Sequence, residues 1–398
     1  MSVIVDSGAA RTDAPQGATY LRTRGALLWE FGTADTLARW SVEDIEYGAP
    51  KKNEAVVKLA ASGICHSDYH YLTGDSAVDI TPLLGGHEGA GVVVEVGPDT
   101  TGVQVGDHVV TTFMPACGRC TWCGIGRSNL CDRGAGLQTG KTLDGTHRVH
   151  TPDGTPVAQM TYIGTFSPYV VVPADCLIPV DRDVPLDKLA ILGCGVPTGW
   201  GSAVNVADVR VGDTVVVVGI GGVGMNAVQG ARHAGASNIV VVDPVEWKRK
   251  AAISTFGATH EAADLAEADQ IVRELTRGVG ADRTIMVMGV ADPNALQTLL
   301  NLTSKGGVLA LTNVTAPTQL DAQLNIRNLV LLEKQIRGGM YGSCNPRVDI
   351  PRLVALYKSG QLLLDELVTT TYRLDEINQA CQDMIDGKNL RGVILFDD

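Results

Sequence analysis

The sequence predicts an α/β protein in which a mostly β domain precedes a doubly wound parallel sheet. Two observations lead to this prediction. Short β-rich runs broken by Gly and Pro fill residues 22–195, whereas apolar runs alternate with helix-like stretches in residues 196–340. Alternation of strands and helices is typical of a parallel sheet with helices on both faces. The 398 residues are enough for two such domains.

The first domain is expected over residues 22–195, after a polar extension at residues 1–21. Frequent Gly and Pro between its β runs predict irregular loops in a mostly antiparallel domain. The extension has no basic region followed by an apolar stretch, so it does not have the pattern of a secretory signal. The β runs are Glu54–Ala60, Gly91–Gly97, Val105–Phe113 and Tyr169–Val180.

The second domain is expected over residues 196–340. Its apolar runs are continuous, which is typical of strands buried on both faces. The predicted strands are Thr214–Gly219, Asn238–Asp243, Thr284–Gly289 and Val308–Asn313. The predicted helices are Val223–Ala234, Glu246–Phe256, Leu265–Arg277 and Pro293–Ser304. Residues 341–398 contain two further helical stretches, and we expect them to return to the first domain.

The composition excludes several classes of partner. The chain has 44 acidic and 32 basic residues, for a net charge of −12. No basic stripe stands out, which argues against nucleic acid or an anionic membrane surface. No run approaches the roughly 20 apolar residues that span a bilayer. We therefore expect a cytoplasmic protein with a small-molecule partner, in which nine cysteines indicate metal binding or catalysis rather than disulfides.

The strongest local motif is a run of four cysteines, Cys117, Cys120, Cys123 and Cys131, within PACGRCTWCGIGRSNLCDRG. Four thiolates at this spacing can close a tetrahedral zinc site with no open coordination position, so the site would be structural. An iron–sulfur cluster is one alternative, and four unrelated thiols are another. The spacing favours zinc.

A glycine motif follows the first apolar strand of the second domain. Gly219, Gly221, Gly222, Val223 and Gly224 belong to GIGGVG, which opens a predicted helix. Such glycines let backbone N–H groups and the helix N-terminus approach a pyrophosphate. The alternative is a tight strand–helix turn without a ligand.

An acidic residue completes this nucleotide-binding pattern. Asp243 ends the second apolar strand, 24 positions after Gly219. Its carboxylate can bind the adenosine ribose hydroxyls and would repel a 2′-phosphate, so NAD is favoured over NADP.

A third group of candidate residues is dispersed along the chain. Cys65 follows a β run, His87 opens another, and Cys194 lies at the junction of the two domains. Two thiolates and an imidazole would make a three-ligand zinc site with an open fourth position, suited to polarising an alcohol oxygen. Their spacing alone does not establish this, because an isolated Cys or His is more often a packed residue.

The motifs together resemble the zinc-dependent medium-chain alcohol dehydrogenases. GHEGAGVVVEVG, the four-cysteine run, GCGVPTGWGSAV and GIGGVG occur in that order, and the resemblance extends from about residue 22 to the end. It implies a GroES-like catalytic domain, a Rossmann domain and an active site in the cleft between them. It also implies two zinc ions per subunit, NAD as cofactor and a homodimer or homotetramer joined through the Rossmann sheet edge.

The resemblance assigns roles to individual residues. Cys65, His87 and Cys194 match the catalytic zinc ligands, and Glu88 matches a carboxylate that can transiently coordinate the metal. Asp68 matches an acid that orients the His87 imidazole. The resemblance assigns Ser67 and His70 to the proton relay, Thr198 and Val314 to the nicotinamide, Lys248 to the adenosine ribose, Arg391 to the pyrophosphate, and Phe113 and Tyr162 to the substrate pocket.

One position departs from the family pattern. The residue after Cys65 is often an Arg that binds pyrophosphate, whereas here it is His66. A neutral His would weaken the control of cofactor release or make it depend on pH, and a tolerated substitution is the alternative.

Several segments resemble one subgroup of this family. LWEFG, the long stretch 132–165, VDPVEWKR and GGMYGSCNPRVDIPRL are similar to the actinobacterial alcohol dehydrogenases assayed with N,N-dimethyl-4-nitrosoaniline. These are nicotinoproteins, in which NAD(H) stays bound through turnover and an external acceptor reoxidises it. The resemblance implies oxidation of a primary or broad-range alcohol to the aldehyde by hydride transfer to NAD.

Two alternative functions share most of these motifs. A formaldehyde dehydrogenase acting on S-hydroxymethyl glutathione or mycothiol would use exchangeable NAD and depend on added thiol. A catalytically silent zinc- and nucleotide-binding regulator would need neither Ser67 nor His70. No role is predicted for Cys176, Cys344 and Cys381 beyond packing or as free thiols.

Overall fold

The computed structural model describes residues 20–33, 35–288, 295–313 and 322–396. The described chain divides into two compact units. The first comprises residues up to Gly193, Thr370–Asp386 and the residues from Gly392 onward. The second comprises Cys194–Thr369 and Gly387–Arg391. Both units are therefore discontinuous in the sequence.

The strands are numbered in chain order. They are β1 (Leu21–Leu28), β2 (Ser41–Tyr47), β3 (Glu54–Ile64), β4 (Leu83–Leu84), β5 (Gly89–Val96), β6 (His108–Thr111), β7 (Val149–His150), β8 (Pro156–Gln159), β9 (Tyr169–Pro173), β10 (Leu177–Val180), β11 (Thr214–Val218), β12 (Asn238–Val242), β13 (His260–Ala262), β14 (Ala281–Met286), β15 (Thr303–Leu311), β16 (Gln335–Gly338), β17 (Val368–Tyr372) and β18 (Arg391–Leu395).

The α-helices are numbered in the same way. They are α1 (His66–Thr73), α2 (Thr121–Gly124), α3 (Leu186–Leu189), α4 (Gly195–Gly201), α5 (Gly222–His233), α6 (Glu246–Ala251), α7 (Leu265–Leu275), α8 (Ala295–Leu302), α9 (Ile326–Leu331), α10 (Pro346–Lys358) and α11 (Ile377–Ile385). A π-helical turn continues α4 over Ser202–Val206 and α6 over Ala252–Phe256.

The first unit contains a small closed barrel and a larger sheet. The barrel has the strand order β1-β2-β7-β8-β4. The seven-stranded sheet has the order β10-β6-β5-β3-β18-β17, and β9 also pairs with β3. Strand β3 is central because it pairs antiparallel with β5, β9 and β18. It runs four residues beyond the predicted end at Ala60, to Ile64, so that Cys65 follows it directly.

The second unit is a six-stranded parallel sheet with the order β13-β12-β11-β14-β15-β16. This is the strand order of a doubly wound nucleotide-binding fold, in which the order reverses between β11 and β14. Strand β11 is buried at all five positions, as its continuous run of valines predicts. The GIGGVG turn lies at the carboxyl end of β11, where such folds bind ligands.

Residues 341–369 lie in the second unit, whereas the sequence-based expectation placed them in the first. The reason is packing against α4 and its π-helical continuation. The Cys344 thiol donates to the Pro197 carbonyl at 3.3 Å, and the Asn205 amide donates to the Gly342 carbonyl at 3.2 Å. A Cβ at Gly201 would overlap the Gly342 carbonyl, so the two segments make close contact.

Among the described residues, no single helix has the length and apolar character needed to cross a membrane. One bent pair of helical segments, 186–193 with 195–206, meets those criteria by length and composition alone.

Candidate active site

Cys65 lies where β3 ends and α1 begins. Its backbone is extended, and its N–H donates to the Asp68 carboxylate at 2.9 Å. An acidic side chain three residues after the helix N-cap satisfies an otherwise unpaired N–H, which is one half of a capping box. The start of α1 therefore positions the Cys65 thiol and the Asp68 carboxylate together.

Asp68 also holds His87. Its second carboxylate oxygen lies 3.0 Å from His87 Nδ1, and both side chains are buried. Burial disfavours a charged imidazole, but the Asp68 carboxylate and the Cys65 sulfur outweigh it and raise the pKa of His87. His87 Nε2 is buried with no hydrogen-bond partner in the described part of the chain. An orphaned nitrogen on an oriented imidazole is what a bound metal would use.

Glu88 lies beside these residues, and a glycine makes room for it. Cys65, His87 and Glu88 each offer a ligand atom, and these atoms lie within 4.8 Å of one another. A Cβ at Gly63 would overlap the Glu88 carboxylate. Sequence reasoning missed Gly63, because no sequence pattern shows that its Cα faces the Glu88 side chain. The donors, a thiol, an imidazole and a carboxylate, fit zinc.

Cys194 is the residue at which the second unit begins. The residue before it, Gly193, lies against Glu88: a Cβ there would be 3.0 Å from the Glu88 Cα and 2.8 Å from the Thr111 carbonyl. Cys194 is buried, and its sulfur lies 3.9 Å from the Thr198 hydroxyl one turn later on α4. Its place as a metal ligand stays a prediction.

The two predicted relay residues lie on α1. Ser67 and His70 are three residues apart, so they lie on the same helix face. The Ser67 hydroxyl lies 3.8 Å from the Cys65 sulfur. His70 is buried, and its Nδ1 lies 3.4 Å from the Asp75 carboxylate, which is about one-third exposed. The pair therefore runs from the thiol toward a group at the surface.

Phe113 and His66 flank the same region. The Phe113 ring is buried, and its centroid lies 6.1 Å from that of the His87 imidazole in an edge-to-face arrangement. His66 is half-buried at the first position of α1, with its ring 6.4 Å from that of Tyr69. Phe113 is thus close enough to line a site at His87, whereas the role of His66 toward a pyrophosphate stays a prediction.

The four-cysteine run forms a second cluster in the first unit. The sulfurs of Cys117 and Cys123 are 3.9 Å apart, as are those of Cys120 and Cys131. A single zinc ion with four thiolates at about 2.3 Å requires sulfur separations of about 3.8 Å. All four ligand atoms lie within 4.8 Å of one another. The spacing fits one tetrahedral ion, whereas in a four-iron cluster each thiolate would bind a separate iron.

Tyr162 anchors the segment that follows these cysteines. Its hydroxyl donates to the Arg133 carbonyl at 2.8 Å, and a Cβ at Gly136 would lie 2.7 Å from the Tyr162 oxygen. Burial raises the pKa of Tyr162 to about 12. These contacts stabilise the loop after Cys131, and the assignment of Tyr162 to the substrate pocket stays a prediction.

The glycine turn of the second unit has the shape that a dinucleotide needs. Gly219 has φ +90°, a conformation that L side chains rarely adopt. A Cβ at Gly224 would overlap the Gly219 carbonyl, so the helix packs tightly on the strand. A Cβ at Gly221, by contrast, would meet no atom within 4 Å. The open space lies at the N-terminus of α5, where backbone N–H groups favour an anion.

Asp243 joins the second strand to this turn. Its two oxygens accept the Ile220 N–H at 2.8 Å and the Val245 N–H at 2.9 Å. Each oxygen keeps a second lone pair for a ribose hydroxyl. Lys248, the third residue of α6, is buried. Burial lowers the pKa of its ammonium group, while the negative charge of Asp243 acts in the opposite direction.

Arg391 crosses the glycine turn. A Cβ at Gly222 would overlap the Arg391 Cδ, so the arginine side chain lies directly on this residue, and it is buried. A buried guanidinium at the N-terminus of a helix fits a pyrophosphate. Thr198 is buried on α4. Val314, predicted near the nicotinamide, lies outside the described residues.

The remaining cysteines are packed side chains. All nine cysteines lie in the described ranges, and none forms a disulfide. Cys381 belongs to the first unit's core, Cys176 is buried in the turn between β9 and β10, and Cys344 packs against α4.

The chain is similar to two known domain families and to several known dehydrogenases. Residues 51–182 match the alcohol dehydrogenase GroES-like domain, and residues 222–359 match the zinc-binding dehydrogenase domain. The chain is 47% identical over 379 residues to alcohol dehydrogenase B of Mycobacterium tuberculosis, covering 95% of this chain and 99% of that protein. It is 44% identical over 375 residues to the NDMA-dependent alcohol dehydrogenase of Amycolatopsis methanolica, covering 94% and 99%. It is 35% identical over 386 residues to the S-(hydroxymethyl)glutathione dehydrogenase of Paracoccus denitrificans, covering 94% and 100%.

Solved structures agree. An alcohol dehydrogenase zinc-binding domain protein from Burkholderia ambifaria has a TM-score of 0.87 at 32% identity, covering 95% of this chain and 99% of that one. Benzyl alcohol dehydrogenase from Acinetobacter calcoaceticus has a TM-score of 0.85 at 31% identity, covering 94% and 99%. The chain therefore belongs to the zinc-binding medium-chain alcohol dehydrogenases. The predicted fold class, the enzyme class and the zinc and NAD cofactors are confirmed.

Proposed function

We propose that this protein is an NAD-dependent zinc alcohol dehydrogenase that oxidises a primary or broad-range alcohol to the aldehyde. The observation that carries the proposal is the position of Asp68, which binds both the Cys65 N–H and His87 Nδ1. That arrangement places the Cys65 thiol near His87, whose buried Nε2 has no hydrogen-bond partner among the described residues. Relatives named alcohol dehydrogenases at 44–47% identity support it.

Cys65, His87 and Cys194 are the proposed ligands of the catalytic zinc. Cys194 is included because it follows Gly193, whose backbone lies against Glu88, and because a second thiolate completes a three-ligand set with an open position. When bound, zinc polarises the alcohol oxygen as a Lewis acid, and NAD accepts the hydride. Glu88 offers an additional carboxylate to the metal.

Ser67 and His70 are the proposed path for the alcohol proton. The Ser67 hydroxyl, close to Cys65, accepts the proton of the substrate hydroxyl while passing its own proton on, and His70 takes up that proton as a general base before it leaves to water. Asp75, two residues after α1 ends, lies 3.4 Å from His70 Nδ1. Phe113, beside His87, is the proposed wall for an apolar substrate chain.

The proposed NAD site is the turn from Gly219 to Gly224 with Asp243, Lys248 and Arg391. Two buried cations and a helix N-terminus balance the pyrophosphate charge, and the Asp243 carboxylate disfavours a 2′-phosphate. His66, Thr198 and Val314 are further proposed contacts, to the pyrophosphate and the nicotinamide.

We further propose that NAD(H) stays bound through turnover and that an external acceptor removes the hydride. Similarity to a relative named an NDMA-dependent alcohol dehydrogenase supports this. The test is to denature the purified protein and quantify NAD(H) in the supernatant. Stoichiometric cofactor is expected, and its absence would favour an enzyme with exchangeable NAD. A hydroxymethyl-thiol substrate would instead be revealed by dependence of turnover on added thiol.

A homodimer or homotetramer in the cytoplasm is the proposed assembly. Strand β16 ends the order of the six-stranded sheet, and the preceding helix α9 exposes Ile326, Val330 and Leu331 by 60%, 66% and 61%. An apolar patch at a sheet edge supports pairing with a second copy. Analytical ultracentrifugation would measure the assembly, and a monomer at micromolar concentration would contradict it.

The catalytic assignment is tested by Cys65→Ser and His87→Ala. Each should abolish alcohol oxidation while the circular dichroism spectrum stays unchanged. Cys381→Ala, which removes a packed thiol, is the matched control and should retain turnover. Full activity in either of the first two variants would contradict the proposed zinc site.

A further inference from the structure

The second unit includes one short segment from near the end of the chain. Gly387–Arg391, called the strap below, lies in this unit, although Thr370–Asp386 before it and the residues after it belong to the first. The strap is buried except for Lys388. The contacts at each end of so short a segment therefore decide where it lies.

Hydrogen bonds at both ends hold the strap within the second unit. At its carboxyl end, the Leu390 N–H donates to the Thr369 hydroxyl at 3.0 Å, and the Arg391 N–H donates to the Leu367 carbonyl at 3.1 Å. At its amino end, the Trp247 indole N–H donates to the Gly387 carbonyl at 3.0 Å. The first two bonds come from the strap's own backbone, whereas the third comes from a side chain on α6.

The strap connects two cations of the proposed NAD site. Arg391 at one end lies directly on Gly222 of the glycine turn. Gly387 at the other end lies against Lys248, since a Cβ there would be 3.4 Å from the Lys248 Nζ. The Trp247 ring is also close to Lys248, with its centroid 5.9 Å from Nζ. Trp247 therefore contacts both the strap and the adjacent lysine.

We propose that Trp247 is a positioning residue that latches the strap over a bound dinucleotide and slows its release. The inference rests on the proposed NAD site. Arg391 must move away from the pyrophosphate for the cofactor to leave, and that movement is easier when the amino end of the strap is not tied to α6. The latch also gives a role to Trp247 itself. This tryptophan lies at the start of α6 within VDPVEWKR, and its side chain is 40% exposed.

The experiment measures NADH dissociation from the full-length protein by displacement with excess NAD, followed by nicotinamide fluorescence. Trp247→Phe keeps an aromatic ring near Lys248 and removes the N–H donor together with the five-membered ring. We expect dissociation to be about fivefold faster, which corresponds to the loss of one neutral hydrogen bond. Trp29→Phe is the matched control, because the half-exposed Trp29 donates to Glu43 at 2.7 Å in the first unit. Its dissociation rate should equal that of the unaltered protein.

A second variant separates the latch from a general effect on folding. In an Arg391→Gln background, Trp247→Phe should accelerate release by less than twofold, because the latched side chain is gone. The melting temperature of the apoprotein and the KM for alcohol should not change with Trp247→Phe. An unaltered NADH dissociation rate in Trp247→Phe, or full additivity with Arg391→Gln, would overturn the latch alone. If the unaltered protein bound no NADH, both the latch and the proposed function would be contradicted.

Discussion

Asp68 links two parts of the chain that carry proposed zinc ligands. Its carboxylate accepts the Cys65 N–H and faces His87 Nδ1, while remaining fully buried. The negative charge makes the imidazole a better donor to a metal, since a hydrogen-bonded carboxylate raises ligand basicity. Asp68 thus orients the His87 imidazole and also caps the start of α1, where Cys65 lies.

Asp68→Asn should keep a hydrogen-bonding shape but lose the charge. We expect zinc affinity at the catalytic site to fall about 10- to 100-fold, with a parallel loss of activity. The measurement is zinc retained after dialysis against a competing chelator. Asp264→Asn is the control, because Asp264 also accepts backbone N–H groups at a helix start, that of α7. Equal zinc retention in both variants would show that Asp68 does not support the metal.

Gly221 provides a second test at the scale of one residue. A Cβ there meets no protein atom within 4 Å, and its φ of −80° suits any residue. Gly221→Ala should therefore leave the melting temperature of the apoprotein unchanged. The new methyl group would occupy the space of the pyrophosphate, so we expect the Kd for NADH to rise about tenfold or more, 1.4 kcal/mol.

The control for Gly221→Ala is Gly124→Ala, in the four-cysteine loop. A Cβ at Gly124 also meets nothing within 4 Å. This variant should bind NADH as the unaltered protein does. Unchanged NADH affinity in Gly221→Ala would mean that the dinucleotide does not approach this turn.

At the scale of elements, the four-cysteine loop has little regular structure of its own. It contains the four-residue helix α2 and short 3₁₀ turns, and Trp122 and Ile125 are exposed rather than packed. A loop without a core depends on its metal for a fixed conformation. Within the cluster, backbone N–H bonds, the largest from Cys123, lower the pKa of Cys120 to about 6, which favours its thiolate.

Cys120→Ser should therefore remove the structural zinc and leave the catalytic one. We expect zinc content to fall by half and the loop to open, with a loss of about 4 kcal/mol of stability. Tryptic cleavage at the exposed Arg119 and Arg127 should become rapid, and mass spectrometry of the fragments would locate it. Cys381→Ala should lower stability without changing zinc content. A full zinc complement in Cys120→Ser would contradict the structural site.

At the scale of the whole molecule, the two units differ in how their sheets are assembled. All six strands of the parallel sheet come from one continuous stretch, β11 to β16. The seven-stranded sheet instead requires β17 and β18 from the end of the chain, and β18 lies between β3 and β17. The first unit is therefore complete only when the last residues have been added.

This difference predicts the behaviour of two fragments. Residues 194–369 should fold with a cooperative thermal transition, because every strand of their sheet is present. NADH should bind this fragment more weakly than the full chain, since Arg391 is missing. Residues 20–193 should not fold, because an interior strand of their sheet is lost. Circular dichroism melting curves provide the measurement, and a cooperative transition in the 20–193 fragment would contradict the prediction.

The sequence predicted elements well where apolar runs are continuous. The predicted starts of β11 and β12 match the structure, and α5 begins one residue before the predicted Val223. The prediction missed α1 and α4, which carry Ser67, His70 and Thr198. These helices contain glycine, aromatic and polar residues without an apolar period, so no periodic signal marks them. Their conformation follows from tertiary packing and from the Asp68 cap.

By itself, the sequence predicted the four-cysteine zinc motif, the dinucleotide turn and the order of the two folds. Those signals are local, because cysteine spacing, glycine spacing and apolar runs each depend on residues close together in the chain. Only the tertiary structure decided which glycines make room for Glu88 and Arg391, where residues 341–369 lie, and that Trp247 binds the strap. Each of these is a contact between residues distant in sequence, and no local pattern specifies such a contact.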